Sequence, residues 1–237
     1  MTTSVGDSHI VKSFDAELAR LRRTVAIMGG RAERQLRAAL AALAARDVEA
    51  ARQVIADDRA LDAADAEINE MAVRVLALRA PVADDLRIVV TALKVSAELE
   101  RIADLAANVA KRAAAMAHAA PLPAARTAVR LGDTVAGRIA DVVAALDACD
   151  ADAAMAVWHG DAEIDDLYSS LFREILTYMM EDPRTISAAT QLMFVAKNLE
   201  RCGDHATNIA EMVHFLCRGV PVLEGRPKAD SSISTSG

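Results

Sequence analysis

The pattern Glu-Arg-x-x-Asp-x-x-x-Asn occurs twice in this chain, one hundred residues apart. Glu100, Arg101, Asp104 and Asn108 recur as Glu200, Arg201, Asp204 and Asn208. The apolar surroundings recur with them: Val95, Leu99, Ala106 and Ala110 match Val195, Leu199, Ala206 and Ala210. A charged tetrad copied together with its apolar scaffold marks two copies of one unit, each presenting the same polar site.

The register extends outward. Asp58-x-x-Leu61-Asp62 corresponds to Asp161-x-x-Ile164-Asp165, and Leu43 and Asp47 to Leu146 and Asp150, at an offset of 103. Pro81 pairs with Pro183 at an offset of 102. The repeat covers residues 20–118 and 124–218, and its small drift in offset is what loop-length change produces. Units of this size are too long for a solenoid and too few for an array, so two fused, similar bundles are expected.

The chain is 53% hydrophobic but 3% aromatic. Its apolar excess is mostly alanine and leucine, which favours closely packed helices. No long run alternates with period two. The expected fold is all-α, two tandem pseudo-symmetric three-helix bundles with six long helices. A net charge of −7 argues against general nucleic-acid binding, which needs a basic face. Cys149, Cys202 and Cys217 have no paired metal-site spacing and leave an odd one over, which fits a reducing cytosol. Met1 to His9 carries no apolar segment, so no signal peptide is expected, and no window has the apolar length of a membrane span. A cytoplasmic location is expected, with membrane contact only through partners.

Proline and glycine mark the expected helix ends. A first helix begins at the N-cap candidate Ser13, with a seam of Phe14, Leu18, Leu21, Val25 and Met28 and a kink at Gly29-Gly30. A second runs from Asp47 to Leu78, and a third follows Pro81 to Ala117. The scheme repeats at 124–148, 150–180 and 184–218. The expected domains are 9–119 and 122–220, joined at Pro121-Leu122-Pro123. A serine-rich tail, 221–237, is expected to be disordered.

On the third helix of each unit the acids form one row. At about 100° per residue, Glu100 and Asp104 lie on one stripe, with Val95, Leu99, Ile102, Ala106 and Val109 opposite. Glu200 and Asp204 likewise lie opposite Val195, Leu199, Cys202, Ala206, Ile209 and Val213. Asp58 and Asp62, and then Asp161 and Asp165, add a second row within an apolar stripe, where an unpaired carboxylate is costly. Like charges at i, i+4 destabilise a helix unless a positive charge lies between them. Arginine, from Arg101 and Arg201, and a metal cation are the two candidates. Oxygen-only ligand sets suit Mg, Mn, Ca or Fe, and duplication of the acids themselves favours metal. Asn108 and Asn208 read as hydrogen-bond partners. His205 points away from the row and reads as a capping or partner-contact residue.

An enzyme or metal-storage protein using the carboxylates is the alternative. A di-iron site wants Glu-x-x-His on two helices, yet Glu211-x-x-His214 has Lys111 and Ala114 as its counterparts. No phosphate loop, Ser-His-Asp set or Cys-His pair is present.

Ala80-Pro81-Val82-Ala83-Asp84-Asp85-Leu86-Arg87, Leu99-Glu100-Arg101-Ile102-Ala103-Asp104 and, above all, Leu199-Glu200-Arg201-Cys202-Gly203-Asp204-His205-Ala206-Thr207-Asn208-Ile209-Ala210-Glu211 resemble the PhoU family of bacterial phosphate-transport accessory proteins and phosphate-signalling regulators. The resemblance covers residues 9–220. Ala103 stands where the family often has glycine, and Cys202 where it often has isoleucine. The resemblance implies tandem three-helix bundles and a non-enzymatic regulator. It also implies multinuclear metal binding (Fe, Mn, Mg or Zn) at Asp58, Asp62, Glu100, Asp104, Asp161, Asp165, Glu200 and Asp204. It further implies an adaptor between the ATPase subunit of a phosphate ABC transporter and a sensor histidine kinase, holding the kinase in its repressing state when phosphate is plentiful. A homodimer is the expected assembly.

Overall fold

The computed structural model describes residues 5–223 and residue 225, with side chains from residue 14 onward. The tail expected to be disordered lies largely outside the described residues. The regular elements among the described residues are all helical. The first unit comprises α1 (Val5–Ala45), α2 (Val48–Asp57), α3 (Arg59–Arg79) and α4 (Ala83–Met116). The second comprises α5 (Ala124–Ala148), α6 (Ala151–His159), α7 (Asp161–Glu181), a 3-10 turn at Pro183–Thr185 and α8 (Ile186–Arg218). Each unit is a three-column bundle whose middle column is made of two consecutive helices.

Local chemistry explains the ends. Asp47 accepts hydrogen bonds from the amides of Glu49 and Ala50, and Asp150 from those of Asp152 and Ala153, so both middle columns begin on an aspartate N-cap. The residues just before them, Arg46 and Cys149, are repeat counterparts and both are left-handed, with φ of 57° and 50°. Gly219 closes α8 at φ 74°, a conformation glycine adopts without strain.

Four expectations are corrected. The first helix does not start at Ser13, because the backbone is already helical from Val5. Gly29-Gly30 does not interrupt it. Gly29 instead permits close packing, since a Cβ there would lie 2.5 Å from Val143 Cγ2 on α5. Gly132 does the same from the other side, with Leu40 Cδ2 at 2.3 Å from its would-be Cβ. The second and fifth helices, expected to be continuous, are broken at Asp58 and Gly160. The cysteines are not all free: Cys149 and Cys217 are joined in a disulfide, and only Cys202 is a free thiol, fully buried.

The apolar seams fall where the spacing puts them. Val95, Leu99, Ile102, Ala106 and Val109, and Val195, Leu199, Cys202, Ala206, Ile209 and Val213, are all buried. The bundles pack side by side, α4 against α8 and α1 against α5, and one hydrophobic core runs through both. Alanines along α4 and α8 let these two helices approach closely. The acidic faces are thereby turned away from the bundle junction.

Candidate functional site

The break in the first middle column falls at Asp58, the first aspartate of its Asp-x-x-x-Asp, and that in the second falls at Gly160, immediately before Asp161. In the first unit the buried Gln35 amide of α1 donates to the Val54 carbonyl at 3.4 Å and to Asp58 Oδ1 at 3.0 Å. A side chain inserted at a helix carbonyl is a recognised cause of a discontinuity. In the second unit Gly160 ends α6, its amide meeting the carbonyls of Ala156 and Val157 at 3.2 and 3.0 Å. Asp161, which opens α7, is buried. The Thr207 hydroxyl of α8 lies 3.1 Å from Asp161 Oδ1 and 3.1 Å from the Gly203 carbonyl. Equivalent aspartates are therefore held by non-equivalent partners, Gln35 from α1 and Thr207 from α8.

In the first unit the two acidic rows face one another. Burial raises Asp58 above the usual carboxylate range, its bond from Gln35 opposes this, and the nearby charges of Asp104 and Asp62 push it up further. Glu100 is raised by burial and by Asp104, against Arg101. Asp58, Glu100 and Asp104 are half-buried, whereas Asp62 is exposed. Arg101 does act as a strut, lying 3.3 Å from both Glu100 and Asp104. Asn108 accepts from Lys111 Nζ at 3.2 Å.

The second unit differs. Burial raises Glu200, a hydrogen bond from Lys197 opposes it, and Asp204 and Asp165 add to it. The cation on this glutamate is Lys197, whose Nζ lies 2.7 Å from Oε2, while Arg201 is exposed. Lys197 also sits 5.5 Å from the centre of the Tyr168 ring. Its repeat counterpart is Ala97, and that of Tyr168 is Asp65. The first site thus carries an extra acid, Asp65, where the second has Tyr168, and the second an extra cation, Lys197, where the first has Ala97.

His205 and Asn208 serve the bundle junction. Both reach Glu98 Oε2 of α4, at 2.5 and 3.2 Å. Burial alone would raise Glu98, but the bonds from His205 and Asn208 outweigh it and bring it below the ordinary glutamate range. The acid that His205 meets was therefore not foreseen from the repeated motif.

The donors are carboxylate oxygens, half-buried and mutually repelling, which suits hard cations. Among the described residues no three His, Cys, Asp or Glu side chains converge closely enough to hold a metal ion as they stand. A bound cation would have to draw the two rows together by rotamer changes. In the first unit it would compete with Arg101, and in the second with the closer Lys197.

This is a helical scaffold bearing two similar acidic sites, one in each unit. A PhoU domain model matches residues 25–113 and again 128–213. The chain belongs to the PhoU family. It is 50% identical to the phosphate-specific transport system accessory protein PhoU homolog of Caulobacter vibrioides, over 94% of this chain and 97% of that protein. A homolog of the same description from Rhizobium meliloti is 42% identical, over 94% of each chain. The crystal structure of PhoU from Pseudomonas aeruginosa superimposes with a TM-score of 0.84 at 39% identity, covering 87% of this chain and 100% of that one. The phosphate transport system regulatory protein PhoU from Streptococcus pneumoniae gives 0.82 at 30% identity, covering 88% of this chain and 99% of that one. The names of these PhoU relatives describe accessory and regulatory proteins of phosphate transport. No helix among the described residues is long and apolar enough to cross a membrane.

Proposed function

We propose that this protein regulates phosphate transport as a non-enzymatic adaptor. It would link the ATPase subunit of a phosphate ABC transporter to a sensor histidine kinase at the cytoplasmic face of the membrane, repressing the starvation response and phosphate uptake when phosphate is plentiful. The observation that carries this reading is 50% identity, over nearly the whole of both chains, to a phosphate-specific transport accessory protein. Two features support contact with other proteins. Each unit carries a half-buried acidic row, and α7 exposes Phe172, Leu176 and Met180 along one stripe. A second copy of the chain is a proposed partner of the same surfaces.

Metal belongs to this proposal. Asp58, Asp62, Glu100 and Asp104 would hold one group of divalent or iron ions, and Asp161, Asp165, Glu200 and Asp204 the other, with the ions neutralising repulsion between rows. What supports it is the upward push on Asp58, Glu100 and Glu200 from burial and neighbouring acids.

Deleting the gene and assaying phosphatase in phosphate-rich medium tests the regulatory role, and derepression is expected. Folded Asp104→Ala with Asp204→Ala protein should then fail to restore repression and lose co-purification with the ATPase and the kinase. Unchanged phosphatase in the deletion strain would sink the reading.

A further inference from the structure

The corner between α5 and α6 repeats the corner between α1 and α2. The amide of Asp47 returns to the Ala42 carbonyl at 3.0 Å, and that of Asp150 to the Ala145 carbonyl at 2.9 Å. The left-handed residues before them, Arg46 and Cys149, each reach the end of their unit's third helix. Arg46 donates to the carbonyls of Ala117, at 2.7 Å, and Ala119, just past α4. Cys149 is bonded to Cys217, the repeat counterpart of Ala117, in the last turn of α8, with Cα atoms 5.7 Å apart. One junction is thus tied by two chemistries, a guanidinium in the first unit and a disulfide in the second.

Only the second tie depends on redox conditions. Cys149 is exposed and Cys217 half-buried, so an attacking thiolate can reach the bond. Cys202 is fully buried and cannot compete as an exchange partner. Other ties near the end of α8 are modest: the exposed ion pair of Arg218 with Asp152 at 3.1 Å, and the bond from Trp158 Nε1 to Glu211 at 3.0 Å one to two turns earlier.

We propose that Cys149 and Cys217 form a reversible thiol–disulfide site, exchanging with disulfides of the glutathione type and setting how firmly the end of α8 is clamped to the α5–α6 corner. In the closing direction the Cys149 thiolate attacks one sulfur of glutathione disulfide and glutathione thiolate leaves. The Cys217 thiolate then attacks Cys149 Sγ in the mixed disulfide and expels a second glutathione thiolate. The two cysteine protons end on the two glutathiones, so the protein is oxidised by two electrons and glutathione disulfide is reduced by two. Opening is the reverse. This inference goes beyond the regulatory reading and does not rest on it.

The test equilibrates full-length protein in glutathione buffers from fully reduced to fully oxidised, followed by alkylation with iodoacetamide and intact-mass measurement. Folded protein should carry two carbamidomethyl groups at the reduced end and none at the oxidised end, reversibly, with Cys202 labelled only after denaturation. Amide hydrogen exchange over Phe215–Gly219 should rise about tenfold on reduction, while exchange over Ala114–His118, tied by Arg46, stays the same. A Cys149→Ser, Cys217→Ser variant should hold the α8 end at the reduced level in every buffer. Thiols that stay alkylatable in glutathione disulfide would overturn the proposal. So would a bond that reductant leaves closed in the folded protein, or opening that leaves α8 exchange unchanged.

Discussion

The Cys202 thiol lies 4.0 Å from the carbonyl oxygen of Ile102, its own repeat counterpart one hundred residues earlier. In a pseudo-symmetric pair only residues beside the two-fold axis meet their own equivalents, so this contact locates the axis between α4 and α8. Both residues are completely buried. Ile102→Ala should cost about 3 kcal/mol through lost burial and a residual cavity, and Cys202→Ala about 1 kcal/mol because less is removed. As the axis belongs to both bundles, each variant should shift a single cooperative unfolding transition, read by calorimetry, rather than split it in two.

The glycines on α5 give an internal comparison. A Cβ on Gly132 would meet three Leu40 side-chain atoms, at 2.3, 2.6 and 3.0 Å, while one on Gly137 meets nothing within 4 Å. Gly132→Ala should therefore destabilise by about 1–3 kcal/mol through overpacking between the bundles. Gly137→Ala should stabilise by about 1 kcal/mol, the helix-propensity gain without a steric cost. Thermal melts of the two variants should move in opposite directions.

Much of this arrangement was legible in the sequence because it is periodic. The identical apolar positions around Glu100 and Glu200 place the two acidic helices in one register, and Asp47 and Asp150 are legible as N-caps by residue type. What escaped depends on contacts distant in sequence. The break at Asp58 is set by Gln35 on another helix, and the tie from Cys149 to Cys217 spans 68 residues. Lys197 was the readable clue that was missed. The departures between the copies, Ala97 against Lys197 and Asp65 against Tyr168, distinguish the sites where the matching acids do not.

Glu98 adds a pH dependence. Its folded-state affinity for a proton is lowered, since bonds from His205 and Asn208 outweigh the upward effect of burial. A depressed carboxylate contributes stability that is fully present above its unfolded value and is lost as pH falls through the folded one. Glu98→Gln should thus cost about 1–2 kcal/mol at neutral pH. The gap to the unmodified protein should close on acidification below the ordinary glutamate range. Urea titrations across pH check this, and a constant gap would remove Glu98 from the junction's electrostatics.

Lys197 decides whether the two acidic sites are equivalent. Its ammonium lies 2.8 and 2.7 Å from the two oxygens of Glu200, so the second site carries a close internal cation, while the first, with Ala97 at that position, has only the longer 3.3 Å pairs from the more exposed Arg101. In chelator-treated protein Lys197→Met should destabilise by about 1–2 kcal/mol, because half-buried Glu200 is left facing Asp204 and Asp165. Added Mn²⁺ should restore more of that loss than it adds to the unmodified protein, since the site then resembles the first. Ala97→Lys should act in reverse, stabilising the metal-free form and reducing the gain from Mn²⁺. Thermal melts with and without Mn²⁺ measure both effects independently of phosphate regulation. If neither substitution changes the response to Mn²⁺, the acidic rows are struts neutralised by Arg101 and Lys197, and the cation role assigned to them is wrong.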